Sequence, residues 1–301
     1  MRLYTFDTNG ETRFGLEKDR RLVDLAAAAA AANIDGAQLG NLMALLQGGE
    51  EALAAARRVE ELDMEKLKTD TDQPLTYAFD TVRLRQPLLQ PGKILCSGIN
   101  YKGHLEENPG AILPRLPFFF SKLPSAVVGP GDPIVAPAGV KQLDYEVEFA
   151  AIIGKTAHHV SEDAIMDHVA GYTILHDVSA RDIQFEDSQI TLGKNYDSFA
   201  PMGPCMVTRD ELPDLSDVRL RAYVNEKLLQ DGSTSDWFYP LPQLLSFLCS
   251  VMTLEPGDVV STGTPAGVGY FRDPQIYLHP GDTVRLEIEG IGQLENPVVA
   301  Q

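Results

Sequence analysis

Two glutamates separated by one residue are the feature of this 301-residue sequence that points most directly to chemistry. Glu146 and Glu148 lie in the run 143–154, whose β-branched and aromatic residues favour a strand. Side chains alternate along a strand, so both carboxylates project from one face, beside Ala150 and Ile152. Two buried like charges need a cation, and Mg²⁺, Mn²⁺ or Ca²⁺ prefers oxygen ligands. The alternative is an edge strand with two acids on its wet face.

A third acid follows the apolar run 171–175, where that predicted strand ends. Asp177 could supply a third carboxylate to the same cation. Arg181 and Gln184, three residues apart on a predicted turn of helix, could bind a substrate carboxylate because Arg offers a bidentate fork. Taken alone, an N-capping Asp followed by a surface Arg explains this segment better.

A histidine and a glutamate three residues apart form a candidate acid–base pair. One turn of helix would place His104 beside Glu107. The carboxylate would fix the imidazole tautomer and stabilise the imidazolium that forms when water loses a proton. A lone His near a loop is more often structural, and four further histidines are assigned to that class: His158, His159, His168 and His279.

Two further segments could stabilise negative charge. Lys194 follows a glycine and is not surrounded by other charges, so it could stabilise an oxyanion or enolate, or be an ordinary solvated lysine. Thr264 lies in the glycine-rich loop 261–269, which lacks both nucleotide-binding glycine patterns. Thr264 and nearby amides could line a small anion pocket, and a tight turn is the alternative.

The predicted elements place these residues at strand ends and in the loops that follow. Strand-like runs lead out of three Pro-Gly-Asp turns, at 130–132, 256–258 and 280–282, where Pro fixes φ and Gly supplies a positive φ. Helical patterns occur at 162–168 and 241–252. The sequence therefore predicts an α+β class with a mixed sheet or roll.

Residues 1–72 show short strand signals alternating with helical ones. Asp24 is a candidate N-cap for the alanine-rich helix at 26–32. The polar stretch 69–74 is typical of a connection, so we predict a small N-terminal α/β domain at 1–72 and a large domain at 73–301. The other N-terminal elements are predicted strands at 2–6 and 13–17 and a helix at 50–68.

Composition excludes several classes of protein. A net charge of −18 without clustered Lys and Arg argues against nucleic-acid partners. No stretch approaches the roughly 18 apolar residues of a membrane span, and the start lacks a secretory pattern, so we expect a cytoplasmic protein without a membrane partner. The cysteines, odd in number and without a C-x-x-C pair, are expected to be reduced and mostly buried: Cys96, Cys205 and Cys249. An anionic substrate would need a locally positive site.

Five motifs occur in order: Asn-Tyr-x-x-His-x-x-Glu at 100–107, Tyr-Glu-Val-Glu at 145–148, Asp-x-x-x-Arg-Asp-Ile-Gln at 177–184, Gly-Lys at 193–194 and Thr-Gly-Thr-Pro at 262–265. Each motif alone is weak, but their combination, from residue 93 to the C-terminus, resembles the fumarylacetoacetate hydrolase family. The resemblance implies a mixed β-roll catalytic domain, a smaller N-terminal domain and a homodimer.

The resemblance also implies roles for individual residues. It implies Mg²⁺ or Mn²⁺, with Ca²⁺ as an alternative, bound by Glu146, Glu148 and Asp177. His104 and Glu107 resemble a water-activating pair on a segment that orders over bound substrate. The remaining matches are one charge-stabilising lysine and three substrate contacts: Lys194, and Arg181, Gln184 and Thr264.

We therefore expect a metal-dependent hydrolase that cleaves a C–C bond in a small diketo acid of the acylpyruvate or fumarylpyruvate type. The oxo-carboxylate substrate would chelate the metal, His104 would activate water, and Lys194 would stabilise the enolate. The same chemistry serves decarboxylation of oxaloacetate-like acids, isomerisation of 2-hydroxyhepta-2,4-diene-1,7-dioate-like acids, and tautomerisation. An intact His–Glu pair favours hydrolysis. A non-catalytic Ca²⁺-stapled binding domain and a sugar-acid dehydratase are further alternatives.

Overall fold

Short β-branched runs separated by Pro-Gly and Asn turns divide this chain into many strands and few long helices. The computed structural model describes residues 1–67, 73–108 and 110–301, and its sheet-dominated α+β fold confirms the predicted class. The strands in these ranges are β1 (Arg2–Thr8), β2 (Glu11–Lys18), β3 (Arg21–Asp24), β4 (Thr76–Ala78), β5 (Arg83–Leu84), β6 (Ile94–Ser97), β7 (Phe119–Lys122), β8 (Val127–Val128), β9 (Ile134–Ala136), β10 (Leu143–Asp144), β11 (Val147–Ile153), β12 (Val169–His176), β13 (Ser179–Ala180), β14 (Ala200–Thr208), β15 (Arg219–Val224), β16 (Lys227–Ser233), β17 (Val259–Ser261), β18 (Thr283–Ile288) and β19 (Gly292–Ala300).

The helices of the described ranges are short. The longest, α3, spans 13 residues, and none of the helices described is long and apolar enough to cross a membrane. They are α1 (Leu25–Ala31), α2 (Leu42–Gln47), α3 (Gly49–Glu61), α4 (Lys102–Glu106), α5 (Glu162–Ile165), α6 (Arg181–Phe185), α7 (Ile190–Gly193) and α8 (Leu241–Val251). Single 3₁₀ turns lie at Phe79–Thr81, Pro124–Ala126, Met166–His168, Glu186–Ser188, Arg209–Glu211, Thr234–Asp236 and Gly269–Phe271.

One large mixed sheet contains strands from both predicted domains, 1–72 and 73–301. Its strands run in the order β4-β3-β2-β1-β14-β12-β11-β17-β6-β7, with β5 beside β1 and β8 beside β14. The N-terminal strands join the rest through β1, which pairs antiparallel with β14. A second sheet has the order β16-β15-β18-β19-β9, and β10 pairs with β13. The division at residue 72 stays a prediction, and residues 69–72 of the predicted connection lie outside the described ranges.

Two N-terminal helices were predicted from the sequence: one has the predicted N-cap, and the other ends earlier than predicted. Asp24 caps α1, because its carboxylate accepts a hydrogen bond from the Ala27 amide at 3.0 Å. The helix predicted at 50–68 ends at Glu61. Asp63 causes this early end, since its side chain accepts from the Glu65 amide and so competes with helical backbone bonding.

Strand β11 lies at the centre of the fold, between β12 and β17, and all seven of its residues are buried. Phe149 packs in the apolar cluster on one face of the large sheet, and Ile152 in the cluster on the other. The three Pro-Gly-Asp turns are confirmed by positive φ values at Gly131, Gly257 and Gly281. The turn at Gly257 leads directly into β17, which supports the central strand from its other side.

Candidate active site

The carboxylates of the site emerge where the expected strand 143–154 is interrupted. The structure divides this run into β10 and β11, with Tyr145 and Glu146 between them. Asp144 causes the break, because its carboxylate accepts hydrogen bonds from the amides of Tyr145 (2.9 Å), Gly269 (2.7 Å) and Tyr270 (3.0 Å). Since β11 is internal and both glutamates are buried, the edge-strand interpretation is wrong.

Three buried carboxylates converge at this point. Oxygen atoms of Glu146, Glu148 and Asp177 all lie within 4.8 Å of one another. Asp177 reaches them because it directly follows β12, the antiparallel neighbour of β11, whose last residue His176 is paired with Val147. The register of these two strands therefore brings together acids that are about thirty residues apart in the sequence.

Buried cations surround these acids. Lys194 donates to Glu146 at 2.8 Å and to Asp177 at 2.6 Å, and its side chain is 2% exposed, so the solvated-lysine interpretation is wrong. Arg181 donates to Glu146 at 2.5 Å. A second lysine, Lys122, forms a buried ion pair with Asp177. Buried charges of this kind are costly unless each one is paired.

Charge pairing divides unevenly between the two glutamates. Burial alone would raise the pKa of Glu146, but the charges of Arg181 and Lys194 outweigh burial and hold that pKa well below its usual value. Burial raises the pKa of Glu148 well above its usual value, and the charges of Asp177 and Glu146 raise it further. Glu148 accepts a 2.5 Å hydrogen bond from Ser261, and within the described ranges it has no cationic partner.

The donor set fits a hard divalent cation. The three acids Glu146, Glu148 and Asp177 offer only oxygen atoms, close enough to share one coordination sphere. Burial and the charges of Asp177 and Glu146 disfavour the ionised form of Glu148 and raise its pKa, and a cation bound at this point would favour that form. Four buried carboxylates, these three and Asp144, face the three cations Arg181, Lys194 and Lys122. With all four carboxylates ionised, this group of residues has one net negative charge, which favours binding of a cation.

The His–Glu pair lies on and beside α4 at the mouth of the same region. His104 Nδ1 is 2.6 Å from Glu107 Oε1, and the two side chains are 12% and 17% exposed. Glu107 Oε2 also accepts from the Gly267 amide at 2.6 Å, and Asp236 accepts from the Gly103 amide at 2.8 Å. The glycine-rich loop and the 3₁₀ turn at Asp236 therefore position the pair.

The three predicted substrate contacts are already hydrogen-bonded within the protein. Arg181 donates from Nε to Asp144 at 2.9 Å and from Nη1 to Gln184 at 3.0 Å, besides its contact with Glu146. Thr264 donates to the Val147 carbonyl at 2.9 Å. All three nitrogen atoms of Arg181 are engaged, so the structure favours Arg181 as a support for Glu146.

A small cavity joins these groups. Its volume is about 190 Å³, below the range of about 300–1,000 Å³ that is typical of drug-sized ligands. Aromatic rings form much of its wall: Phe118, Phe120, Phe185 and Phe271. Seven of the nine predicted site residues line it: His104, Glu146, Glu148, Arg181, Gln184, Lys194 and Thr264. The other two, Glu107 and Asp177, are bonded to His104 and Lys194.

Several residues of this region were not identified from the sequence. Lys122, Asp144 and Ser261 contact the predicted site residues, and the ring of Phe120 lies 5.0 Å from Lys194 Nζ. An acid within an apolar run is the one signal that could have identified Asp144. Cys96 is buried, and burial with the nearby acids raises its thiol pKa well above the usual value, which argues against a nucleophilic role.

The comparison with protein families matches residues 93–299 to the family described as "Fumarylacetoacetate (FAA) hydrolase C-terminal". The chain therefore belongs to the fumarylacetoacetate hydrolase family, as the motif order indicated.

Three similar proteins illustrate the range of this family. An oxaloacetate tautomerase of Xenopus laevis, named as mitochondrial, is 38% identical over 99% of this chain and 90% of its own length. The structure of a fumarylacetoacetate hydrolase from Exiguobacterium antarcticum has a TM-score of 0.81 and 37% identity, with 100% of both chains covered. A maleylpyruvate hydrolase of Sphingobium sp. SYK-6, solved with manganese(II) and pyruvate, has a TM-score of 0.77 and 31% identity over 100% of this chain and 99% of the other.

Proposed function

We propose that this enzyme of the fumarylacetoacetate hydrolase family is a divalent-metal-dependent tautomerase that interconverts the keto and enol forms of a small oxo-dicarboxylic acid such as oxaloacetate. The observation that carries the proposal is the placement of an acid–base pair, His104 and Glu107, beside a buried carboxylate cluster in one small cavity. The similarity to the Xenopus laevis oxaloacetate tautomerase supports this substrate class over a diketo acid.

His104 is the proton-transferring residue in this proposal. Its Nδ1 is bonded to the Glu107 carboxylate, which places the imidazole proton on Nδ1 and leaves Nε2 free to accept another. In the keto-to-enol direction Nε2 removes one proton from C3 of the substrate, and the electron pair of that C–H bond forms the C2–C3 double bond. The oxygen on C2 then takes a proton from water, and His104 returns its proton to solvent.

In this proposal Lys194 stabilises charge on the reacting oxygen, and Arg181 positions other residues of the site. The Lys194 ammonium lies in the cavity wall and stabilises negative charge that develops on the C2 oxygen. Arg181 donates hydrogen bonds to Glu146 and to Gln184 and so positions both side chains. Gln184 and Thr264 are the proposed substrate contacts. A divalent cation, when bound by Glu146, Glu148 and Asp177, would supply Lewis-acid polarisation of the oxo group and would orient the oxo-carboxylate.

The cation in this proposal is Mg²⁺ or Mn²⁺. Manganese(II) in the maleylpyruvate hydrolase structure supports this choice, and the all-carboxylate donor set suits either ion. Ca²⁺ would fit the same oxygen atoms and is the alternative ion.

Hydrolysis of a C–C bond in an acylpyruvate or fumarylpyruvate is the second candidate. The His104–Glu107 pair suits this reaction as well, because the same base can deprotonate a water molecule that attacks the distal carbonyl. Decarboxylation of oxaloacetate would start from the keto form instead: the C3–C4 bond breaks, CO₂ leaves, and the electron pair of that bond forms the C2–C3 double bond of the pyruvate enolate. It is a third outcome of the assay below.

A substrate panel separates these reactions. Oxaloacetate, an acylpyruvate and fumarylpyruvate are each given with Mg²⁺ or Mn²⁺, and in parallel with EDTA, while enol absorbance, CO₂ and released acids are measured. Metal-dependent change in oxaloacetate enol absorbance without CO₂ or cleavage products is the expected result. Metal-dependent release of two acids from a diketo acid, with no effect on oxaloacetate, would contradict the tautomerase proposal and support the hydrolase.

We further propose a homodimer, and light scattering tests it. Support comes from large apolar side chains that are exposed in the single chain, among them Ile112 at 84% and Leu116 at 60%. The cytoplasmic location expected from the sequence stays a prediction, since the printed name of the Xenopus laevis relative places that protein in mitochondria.

A further inference from the structure

Lys122 is a fully buried lysine that the reaction proposed above does not use. It is the last residue of β7, paired with Ile94 of β6, and it is 1% exposed. Lysine is among the residues least often buried, and a buried ammonium needs partners for its charge and its hydrogen atoms. Its partners therefore indicate what it does.

All three hydrogen atoms of the Lys122 ammonium have acceptors. They are the Asp177 carboxylate, through Oδ1, the Val178 carbonyl at 3.2 Å and the Lys194 carbonyl at 2.7 Å. A lysine has three donors, so none remains for a substrate. Lys122 is also absent from the described lining of the cavity. It therefore acts through other residues.

Two of these contacts fix opposite sides of the site. Asp177 accepts a hydrogen bond from Lys122 through Oδ1 and one from Lys194 through Oδ2. Lys122 therefore fixes the rotation of the carboxylate that faces Glu146. The contact with the Lys194 carbonyl fixes the backbone from which the Lys194 side chain starts. One ammonium thus sets both a proposed metal ligand and the proposed charge-stabilising lysine.

The strand that carries Lys122 supports Lys194 a second time. Side chains two residues apart on a strand share a face. Phe120, two residues before Lys122, places its ring 5.0 Å from Lys194 Nζ. Edge strand β7 therefore contacts the backbone of Lys194 through Lys122 and its ammonium through Phe120.

We propose that Lys122 is a positioning residue that holds Asp177 and the backbone of Lys194 in the arrangement needed for binding a divalent cation and for stabilising the enolate. The inference rests on the proposed metal-dependent function. Residues that orient metal ligands change metal affinity by about 10- to 100-fold when they are replaced.

The test uses Mn²⁺ alone as the probe, with the full-length protein. Lys122→Met keeps the length of the side chain and removes the ammonium. Mn²⁺ affinity, measured by titration calorimetry or by the free-ion electron paramagnetic resonance signal, is expected to fall about 10- to 100-fold, and kcat with oxaloacetate is expected to fall with little change in KM. The matched control is Lys93→Met, because Lys93 forms an ion pair with buried Asp258 but is not among the residues that line the cavity. It is expected to bind Mn²⁺ like the wild type.

Lys122→Arg keeps the measurement informative if Lys122→Met does not fold. Arginine retains the charge, but its planar fork cannot reproduce the three contacts of the ammonium. A folded Lys122→Arg protein with reduced Mn²⁺ affinity and reduced kcat supports the inference. Wild-type Mn²⁺ affinity and kcat in either folded variant would overturn it.

Failure of this inference differs from failure of the proposed function. If the wild type does not act on oxaloacetate but Mn²⁺ binding weakens in the variants, the tautomerase proposal fails and the positioning role stands. If the wild type is an active tautomerase and the variants bind Mn²⁺ and turn over equally well, the positioning role alone fails. A wild type that does not bind Mn²⁺ overturns both.

Discussion

The two halves of the candidate active site are built differently. The carboxylate cluster is locked by buried ion pairs, with Glu146, Asp177 and Lys194 no more than 5% exposed. The His104–Glu107 pair lies on and beside a five-residue helix at the cavity mouth, with side chains 12% and 17% exposed. Within the described ranges, this helix is tied to the rest of the site by the Glu107–Gly267 and Gly103–Asp236 hydrogen bonds.

The two halves perform two separate tasks, charge stabilisation and proton transfer. Charges in a dry interior stabilise an enolate most strongly when they are fixed in place, and the cost of burying them is met only by close pairing. A proton-transferring group needs access to both substrate and water, so it belongs at the mouth. We therefore expect changes in the cluster to affect metal binding, and changes in the pair to affect turnover alone.

The largest effect is expected from Glu148→Gln. Loss of one of three carboxylates should abolish Mn²⁺ binding and lower turnover by about 10³-fold or more, because the cation contributes several kcal/mol to charge stabilisation. The metal-free variant should be as stable as the wild type or more so, since a neutral amide avoids the burial and the repulsion by Asp177 and Glu146 that raise the pKa of Glu148. Thermal unfolding with and without Mn²⁺ measures Mn²⁺ binding and the stability of the metal-free protein, and turnover is measured separately. Unchanged Mn²⁺ stabilisation would contradict this role, and exposed Glu162→Gln is the control.

His104→Ala should affect the other half alone. Turnover is expected to fall by about 10²- to 10⁴-fold, the usual contribution of a positioned acid or base, while Mn²⁺ affinity stays within twofold of wild type. His158→Ala serves as the control, because His158 is exposed and is not among the residues that line the cavity. Equal turnover of His104→Ala and wild type would remove His104 from the proton-transfer role.

Glu107→Gln should have a smaller effect on the same half. The amide removes the negative charge that holds the imidazole, and a hydrogen bond to a charged group contributes about 1.5–3 kcal/mol, so kcat should fall by about 10- to 100-fold. Glu106→Gln, at the exposed neighbouring position, should leave kcat unchanged. Wild-type kcat in Glu107→Gln would show that the pairing is only structural.

A second histidine, His176, should affect stability and not turnover. Burial, followed by the charge of Lys122, lowers the pKa of His176 to about 3. The unfolded chain binds a proton near the usual pKa of about 6.5, so stability should fall as the pH drops from about 6.5 towards 3, by up to about 1.4 kcal/mol per unit. His176→Gln should reduce this slope, measured by unfolding in urea between pH 7 and 4. His168→Gln is the control, and an unchanged slope in His176→Gln would contradict the assignment.

The sequence predicted the fold class, the family and seven of the residues that line the cavity, because these residues belong to short motifs that are visible locally in the sequence. It did not predict Lys122, whose partners lie 55 and 72 residues away and follow no spacing rule. The break at Asp144 was missed for a similar reason, since an amide 125 residues away creates it. Local patterns specify elements, whereas the partners of buried charges depend on which strands become neighbours.

The most direct test of the central claim is deuterium exchange at C3 of oxaloacetate in D₂O, followed by proton NMR with the wild type and the diamagnetic ion Mg²⁺. We expect exchange well above the uncatalysed rate in the wild type, without formation of pyruvate. This exchange should be lost on addition of EDTA and in both Glu148→Gln and His104→Ala. Exchange that persists in EDTA or in His104→Ala, or an absence of exchange in the Mg²⁺-loaded wild type, would contradict it.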